Sequence, residues 1–311
     1  MRMLEGTSDC QHTLAAPITI SGIGLHTGVR VNVRVCPARA NMGILFRRID
    51  LEGFAIEAQS RHVARVSYAT SLMKKGVLIS TTEHLLSALA GLKVDNAVVE
   101  IDNLELPILD GSALPFVRLI QEVGLRRQRA RRTYVKVTKP VEVVDGAKRI
   151  AVYPAETFDI TYRIVFSHPL IGEQVLERVP GLANYETEIA PARSFGFLEE
   201  VEMLRKNGLI RGGSLENAVV LTREGVLNPE GLRFPDEFCR HKVLDLIGDL
   251  ALLGRPVLGH VVAERAGHAM HAQLVSRLLR ERDSWALVTG TAENLQPQRA
   301  HVSELAISQA S

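Results

Sequence analysis

The chain has 311 residues, of which 46% are hydrophobic and 23% charged, a composition typical of a folded globular protein. Its 37 Lys and Arg residues against 35 Asp and Glu residues leave a net charge of +2, which excludes a generally polybasic nucleic-acid binder. No uncharged apolar run approaches the roughly 20 residues of a membrane span, and the first residues lack the apolar core of a signal peptide.

The three cysteines are too few and too scattered for a disulfide framework or a cysteine-rich zinc site. We therefore expect a cytoplasmic protein without a membrane-spanning segment, in which any bound metal is held by histidine and carboxylate side chains. At about 150 residues per domain, the length indicates two domains.

The first predicted elements are β-strands. Residues 29–35 alternate valine with polar side chains, which predicts a half-buried strand with its valines inward. Residues 22–28 contain three glycines, but a strand follows them instead of the helix that a dinucleotide-binding motif requires. We interpret this segment as a hairpin or loop.

Two helices and a basic segment follow. Ser80 and Glu83 form a capping-box pattern that starts a helix ending at Gly91, and a second helix is predicted over residues 114–124, after a strand at 96–101. Residues 126–132 contain five arginines and no aromatic residue for base stacking. This pattern favours a solvated interdomain linker over a nucleic-acid site.

The second half again mixes strands with helices. Strands are predicted over residues 133–144, 149–153, 158–166 and 257–263, and helices over 196–207, 236–253 and 268–281. We therefore predict an α+β fold with an N-terminal domain over residues 1–128 and a C-terminal domain over residues 129–311. The tail after Thr291 is left unassigned.

The helix over residues 236–253 carries the clearest chemical pattern. His241, Asp245 and Asp249 are spaced four residues apart and lie on one stripe of the helix. An imidazole and a carboxylate at this spacing can reach one cation, and nitrogen and oxygen ligands suit zinc. The alternative is an exposed His–Asp pair on a solvated face, which is common on helices.

Three further segments carry candidate residues, each with an ordinary structural alternative. Glu83 and His84 suit a base and a metal ligand, although a capping-box Glu needs no catalytic role. His268 follows a predicted buried strand, where it either acts in a site or merely starts a helix; a protonated role would require a carboxylate such as Asp249. Ser194 suits an oxyanion donor or a helix cap, and it lacks the Gly-x-Ser-x-Gly setting of a nucleophile.

Six segments in the same order resemble the UDP-3-O-acyl-N-acetylglucosamine deacetylase family of lipid A biosynthesis, over about residues 12–290. They are residues 22–28 (GIGLHTG), 80–85 (STTEHL), 107–112 (PILDGS) and 192–197 (ARSFGF), the helix with His241, Asp245 and Asp249, and residues 267–268 (GH).

The resemblance implies two domains of similar fold, each a β-sheet packed against a pair of helices, with the active site between them. It implies a catalytic Zn²⁺, with Fe²⁺ as the alternative metal, held by His84, His241 and Asp245. The other implied roles are a base at Glu83, an oxyanion donor at Ser194, and a proton donor at His268 that Asp249 keeps protonated.

The resemblance also implies a nucleotide-sugar lipid substrate, a monomer, and a hydrolase of a Gram-negative bacterium that binds no nucleic acid. Two other functions compete with this interpretation: a non-catalytic nucleotide-lipid binding protein with the same cleft, and an RNA-binding protein that uses the arginine segment. The implied substrate contacts are Phe195 and Lys242 at the sugar, Lys148 and Arg265 at the diphosphate, and Leu209, Ile210, Gly213, Ser214 and Ala218 along a passage for the acyl chain formed by residues 201–220.

Overall fold

The computed structural model describes residues 9–180, 182–289 and 296–298. The helices of this part of the chain are α1 (Glu83–Gly91), α2 (Leu114–Val123), α3 (Leu198–Lys206), α4 (Glu237–Leu250) and α5 (His268–Arg280). Its strands are β1 (Cys10–Leu14), β2 (Ile18–Ile23), β3 (Arg30–Pro37), β4 (Ile44–Arg48), β5 (Phe54–Glu57), β6 (Val63–Arg65), β7 (Ser71–Lys74), β8 (Val77–Ile79), β9 (Ala97–Ile101), β10 (Leu125–Arg131), β11 (Thr133–Val137), β12 (Val141–Asp145), β13 (Lys148–Tyr153), β14 (Phe158–Val165), β15 (Glu173–Pro180), β16 (Phe195–Phe197), β17 (Val219–Leu221), β18 (Val257–Glu264), β19 (Trp285–Thr289) and β20 (Gln296–Gln298).

The first half of the chain builds a five-stranded sheet in the order β2-β3-β9-β4-β5. Val31, Val33 and Val35 are buried on β3 and the residues between them are exposed, which confirms the strand predicted from the alternation. Ile23 of β2 lies opposite Arg30 of β3, so the glycine-rich segment between them is a hairpin, as predicted.

The second half builds an eight-stranded sheet in the order β12-β13-β18-β11-β19-β20, which β14 and β15 extend from β18. Strand β18 is parallel to β11 and β14 and antiparallel to β13. The strands predicted near β13, β14 and β18 are confirmed, whereas the segment over residues 133–144 is two strands, β11 and β12. The fold is α+β, as the sequence predicted.

Helices join the two sheets and position the site. Helix α2 packs against β2 and α1, α1 packs against α4, and α5 packs against α4, β12 and β13. The backbones of α1 and α4 are in close contact at Gly248, where an added Cβ would lie 2.1 Å from the carbonyl oxygen of Glu83. Because only a residue without a Cβ allows this approach, Gly248 places the first turn of α1 beside the last turn of α4.

The predicted capping box at the start of α1 is wrong. The helix begins at Glu83, and the residue before it, Thr82, makes no side-chain cap hydrogen bond. The Ser80 hydroxyl contacts that of Ser71 at 2.9 Å, and the Glu83 carboxylate accepts a hydrogen bond from the Thr70 amide at 3.0 Å. Ser80 and Glu83 therefore contact Ser71 and Thr70, which are distant in sequence, instead of the backbone of the helix start as in a capping box.

Residues 126–132, predicted as a solvated linker, are mostly exposed as expected but belong to a strand instead of an irregular linker. These residues form most of β10, which pairs antiparallel with β1 from Leu14–Leu125 to Cys10–Arg131. Arg132, which follows the strand, is buried and donates to Asp95 at 2.7 Å. The hydrogen-bonding partner of this segment lies more than a hundred residues earlier in the chain, so local composition gave no sign of it.

The remaining elements agree with the sequence in outline. The helices predicted near α2, α3, α4 and α5 are confirmed to within a few residues. None of the helices in the described ranges is long and apolar enough to cross a membrane. The tail after Thr291 lies outside the described residues, apart from residues 296–298, which pair with β19.

Candidate metal centre and active site

His84 on α1 and His241 and Asp245 on α4 form a buried cluster whose candidate ligand atoms lie within 4.8 Å of one another. The Oδ1 atom of Asp245 is 3.4 Å from Nε2 of His241 and 3.8 Å from Nε2 of His84, and it makes no hydrogen bond. Nδ1 of His241 contacts the carbonyl oxygen of Ala192 at 3.0 Å, which leaves Nε2 as the ligand atom. These two nitrogens and one oxygen suit the ligand set of a metal ion.

The electrostatics of the cluster favour metal binding. Burial lowers the pKa of His84 to about 3 and also lowers the pKa of His241, so both imidazoles are neutral near pH 7. Burial opposes ionisation of Asp245, but the adjacent imidazole of His241 and ammonium of Lys242 outweigh burial and hold the pKa of Asp245 well below its usual range. Neutral imidazole and ionised carboxylate are the forms that ligate a metal.

Helix α4 is buried on the face that carries His241, Asp245 and Asp249 as well as on its apolar face. His241, Asp245 and Asp249 are each no more than 3% exposed. The alternative of an exposed His–Asp pair on a solvated face is therefore wrong, because α4 lies between α1 and the second sheet.

Glu83 lies on the α1 side of the cluster. Its Oε2 accepts the Thr70 amide, and its Oε1 is 4.0 Å from Nε2 of His268. Burial raises the pKa of Glu83 to about 8, and Asp249 and Asp245 add to the effect against the opposing charge of His268. A carboxylate with a raised pKa that faces a metal site suits proton transfer near neutral pH.

His268 begins α5 and faces Glu83 across the site. Its Nδ1 lies 2.8 Å from Oδ2 of Asp249, and Oδ1 of Asp249 accepts from the Thr70 hydroxyl at 2.6 Å. Burial would lower the pKa of His268, but Asp249 and then Asp245 outweigh it and raise the pKa to about 9. The carboxylate that a protonated His268 requires is therefore present, in contact with its ring.

Ser194 lies just before β16 and lines the same cavity as Glu83 and His84. Its amide donates to Gly111 at 2.8 Å, and its carbonyl accepts from Val219 at 2.8 Å, so its backbone is fixed on both sides. Helix α3 begins at Leu198, four residues later, and the residue before it has no side-chain cap. Ser194 is therefore not a helix cap, and the capping alternative is wrong.

The cavity around these residues has a volume of about 370 Å³. Lys242 lines this cavity, and its Nζ lies 2.8 Å from Oδ2 of Asp245 and 5.7 Å from the centre of the Phe195 ring. Lys148 also lines the cavity. Arg265 is exposed and is not among the described residues that line it.

The residues expected along an acyl passage lie beyond one wall of this cavity. The amides of Arg211 and Gly212 donate to the carbonyls of His26 and Leu25, which line the cavity. The loop after α3 therefore packs on the β2–β3 hairpin. The five expected passage residues are not among the described residues that line the 370 Å³ cavity: Leu209, Ile210, Gly213, Ser214 and Ala218.

Sequence reasoning missed several residues that support the site. His271 is fully buried, with Nδ1 2.8 Å from Asp249 and Nε2 3.0 Å from the Tyr162 hydroxyl. Its position three residues after His268 on α5 was a usable signal, because this spacing puts both rings on one side of a helix. Thr70 lies in a loop, and no local pattern marks it.

The comparisons with known proteins agree with this geometry. The family model described as UDP-3-O-acyl N-acetylglycosamine deacetylase matches residues 11–280. A UDP-3-O-acyl-N-acetylglucosamine deacetylase of Solibacter usitatus is 55% identical over 277 residues, which cover 89% of this chain and 94% of that protein. The protein of the same name from Syntrophotalea carbinolica is 50% identical over 89% of this chain and 90% of its own. The one from Phenylobacterium zucineum is 48% identical over 90% of this chain and 96% of its own. This chain therefore belongs to the UDP-3-O-acyl N-acetylglycosamine deacetylase family, a family of metalloenzymes.

Proposed function

We propose that this protein hydrolyses the N-acetyl group of UDP-3-O-acyl-N-acetylglucosamine, giving acetate and UDP-3-O-acyl-glucosamine for lipid A biosynthesis. The observation that carries the proposal is the buried cluster of His84, His241 and Asp245 in the same cavity as Glu83 and His268. The relatives' names supply the substrate, and the cavity supplies the groups that amide hydrolysis requires.

The metal of the proposal is Zn²⁺, with Fe²⁺ as the alternative, held by His84, His241 and Asp245. The unpartnered Oδ1 of Asp245 and the two Nε2 atoms near it support this assignment. When bound, the metal supplies Lewis-acid polarisation of the acetamide carbonyl and lowers the pKa of the attacking water.

The side chains of the cavity divide the proton transfers between them. Glu83 accepts a proton from the water as the new C–O bond forms at the acetamide carbon. The Ser194 hydroxyl donates to the oxyanion that develops on the carbonyl oxygen. His268, held protonated by Asp249 at 2.8 Å, donates its Nε2 proton to the nitrogen as the C–N bond breaks. The products are acetate and a free amine.

The proposal places the acetamide at the cluster and the rest of the substrate along the cavity. Phe195 and Lys242 contact the sugar, which is supported by their position on the cavity wall. Lys148 and Arg265 bind the diphosphate. Their chain neighbours Arg149 of β13 and Glu264 of β18 lie opposite each other, so Lys148 and Arg265 occupy neighbouring positions at one end of the strand pair. Five residues beyond the hairpin line the acyl passage: Leu209, Ile210, Gly213, Ser214 and Ala218.

We retain two domains in the proposal, over residues 1–128 and 129–311, with the site between them. Two separate sheets, one from each half of the chain, support this division. The boundary falls within β10, whose partner β1 belongs to the first half. A cytoplasmic monomer without a nucleic-acid partner completes the proposal, on the family resemblance.

The test is acetate release from UDP-3-O-acyl-N-acetylglucosamine by metal-stripped protein, before and after one equivalent of Zn²⁺ or Fe²⁺. We expect activity only after metal is added, and less than one-hundredth of it in Glu83→Gln, which leaves the metal ligands in place. Binding of the substrate by folded, metal-loaded protein without acetate release would favour the non-catalytic binding protein instead. Salt-dependent RNA binding that requires the arginines of β10 would favour the third function.

A further inference from the structure

The carboxylate of Glu105 lies buried inside the turn between β2 and β3. Only 2% of Glu105 is exposed, and it is not among the described residues that line the active-site cavity. Its Oε1 accepts a hydrogen bond from the amide of His26 at 2.8 Å, and its Oε2 accepts one from the amide of Thr27 at 2.8 Å. An added Cβ on Gly24 would lie 2.3 Å from Oε2, so the turn closes directly around the carboxylate.

The same carboxylate holds the segment that leads into α1. The Thr81 hydroxyl donates to Oε1 of Glu105 at 3.1 Å. Thr81 is buried and has a φ of 58°, a left-handed conformation that is rare for a β-branched residue and persists only when its surroundings hold it. Glu83 begins α1 two residues later, and His84 follows. Glu105 is therefore connected to the segment that places both of these residues in the active-site cavity.

On its other side, the turn carries the loop after α3. The carbonyl of Leu25 accepts a hydrogen bond from the amide of Gly212 at 3.0 Å, and the carbonyl of His26 accepts one from the amide of Arg211 at 3.1 Å. Leu25 and His26 themselves line the active-site cavity. The backbone of His26 is thus fixed at both ends, by Glu105 through its amide and by the loop through its carbonyl.

The hydrogen bonds at this turn require a carboxylate. Both oxygens of Glu105 accept backbone amides, whereas a carboxamide has one acceptor and one donor group. In either orientation, a glutamine at this position would place its NH2 group against the amide of His26 or of Thr27, and a buried donor that faces another donor loses its hydrogen bond. Because glutamate and glutamine have nearly the same size, the effect of this substitution reports on the hydrogen bonds of the turn.

We propose that Glu105 is a positioning residue that fixes the acyl passage relative to the metal cluster, and so determines how much a long acyl chain on the substrate contributes to hydrolysis. The carboxylate contacts both the turn that carries the loop after α3 and the segment that begins α1, so it sets the distance between that loop and Glu83. An acyl chain bound in the passage brings the acetamide to the cluster only when this distance is correct. The inference rests on the proposed function, because the passage and the substrate belong to it.

The first test compares kcat/KM for UDP-3-O-dodecanoyl- and UDP-3-O-butanoyl-N-acetylglucosamine in the full-length, metal-loaded protein. We expect Glu105→Gln to lower the dodecanoyl-to-butanoyl ratio of kcat/KM about tenfold, because only the longer chain depends on the position of the passage. An equal loss with both substrates would make Glu105 merely structural and overturn the proposal.

Asp95→Asn is the matched control for this comparison. The side chain of Asp95 is 11% exposed and also accepts a backbone amide, that of His12 at 2.8 Å. Asp95 is not among the described residues that line the active-site cavity. We expect this variant to lose stability and to keep the dodecanoyl-to-butanoyl ratio of the parent protein. A tenfold fall of the ratio in Asp95→Asn would contradict a specific role for Glu105.

Amide hydrogen exchange followed by NMR tests the connection without any substrate. In Glu105→Gln we expect exchange at least about tenfold faster at His26 and Thr27 and also at Arg211 and Gly212, with exchange in α2 unchanged. Unchanged exchange at Arg211 and Gly212 would overturn the proposal, whatever the activity. If the parent protein releases no acetate, the proposed deacetylation fails by itself, and the ratio of the Kd values of the two substrates then decides on Glu105 in place of kcat/KM.

Gly212→Ala tests the same connection from the loop and leaves Glu105 unaltered. Its Cβ would lie 2.3 Å from the carbonyl oxygen of Gly24 and 3.1 Å from the Cα of Gly28, so the loop must move away from the turn. We expect the same fall in the dodecanoyl-to-butanoyl ratio, and this variant decides if Glu105→Gln fails to fold. Gly225→Ala is its matched control, because no atom of the described residues beyond its chain neighbours lies within 4 Å of the added Cβ. An unchanged ratio in Gly212→Ala, or an equal fall in Gly225→Ala, would contradict the proposal.

Discussion

Replacing Gly248 by alanine should separate α1 from α4 at the active site. The added Cβ would lie 2.1 Å from the carbonyl oxygen of Glu83, 2.8 Å from its carbonyl carbon and 3.0 Å from its Cα. These are backbone atoms, so no side-chain rotation relieves the clash. The shortest of these distances must lengthen to about 3.4 Å, the start of ordinary contact, and this requires the two helices to move apart.

The expected cost to stability is small and the expected cost to catalysis is large. Overpacking a buried contact costs about 1–3 kcal/mol, and alanine returns about 1 kcal/mol of helix propensity relative to glycine. The free energy of unfolding should therefore fall by at most about 2 kcal/mol, which lowers Tm by no more than a few degrees. A shift of about 1 Å between Glu83 and the ligands on α4 should lower kcat/KM about a hundredfold.

The assay combines kcat/KM for acetate release with thermal unfolding and bound metal content. Gly91→Ala is the matched control, because its Cβ would lie 2.2 Å from the buried ring of Tyr185, at the far end of α1. The helical rise puts Gly91 about 12 Å from Glu83, so this variant should lose stability without losing activity. Near-normal kcat/KM in Gly248→Ala would show that the separation of α1 and α4 does not control the position of Glu83 relative to the ligands on α4.

Three other predictions concern pH, stability and metal. His268 must be protonated to act as an acid, so kcat/KM should fall as the pH rises through about 9. Asp249→Asn should move this fall in kcat/KM to lower pH, because burial then dominates the pKa of His268. A fall at the same pH in Asp249→Asn would contradict the role of Asp249. Glu237→Ala removes the carboxylate that lies 2.8 Å from the buried Arg193. Urea unfolding should show that the free energy of unfolding falls by about 3 kcal/mol, because a buried charge loses its partner. A fall of less than about 1 kcal/mol would contradict a stabilising Arg193–Glu237 pair. Zn²⁺ at a hundred times its Kd should stabilise stripped protein by about 2.7 kcal/mol in thermal unfolding, and the same gain in His241→Ala would exclude the proposed ligand set.

The pattern of apolar residues predicted the regular elements well. The alternation around Val31 and the spacing along α4 and α5 placed one strand and two helices, because side-chain periodicity and burial are local properties of the chain. The short strands β6 to β8 were missed, since a strand of three or four residues carries little pattern of its own.

Both local predictions that failed did so where a distant partner exists. Ser80 and Glu83 match a capping box, but Ser71 and Thr70 take their hydrogen bonds. The arginines of β10 match a linker, but β1 supplies a pairing strand. Contacts between residues far apart in sequence compete with local ones and cannot be read from composition.

The sequence by itself determined which side chains have the right chemistry: the spacing on α4 indicated a metal ligand pair, and the order of six motifs indicated the family. Only the tertiary structure decided their protonation and their neighbours. Burial keeps His84 neutral and raises the pKa of Glu83, while Asp249 raises the pKa of His268. These opposite shifts depend on the packing of α1 and α5 against α4, and desolvation and charge pairing exist only once those helices are in contact.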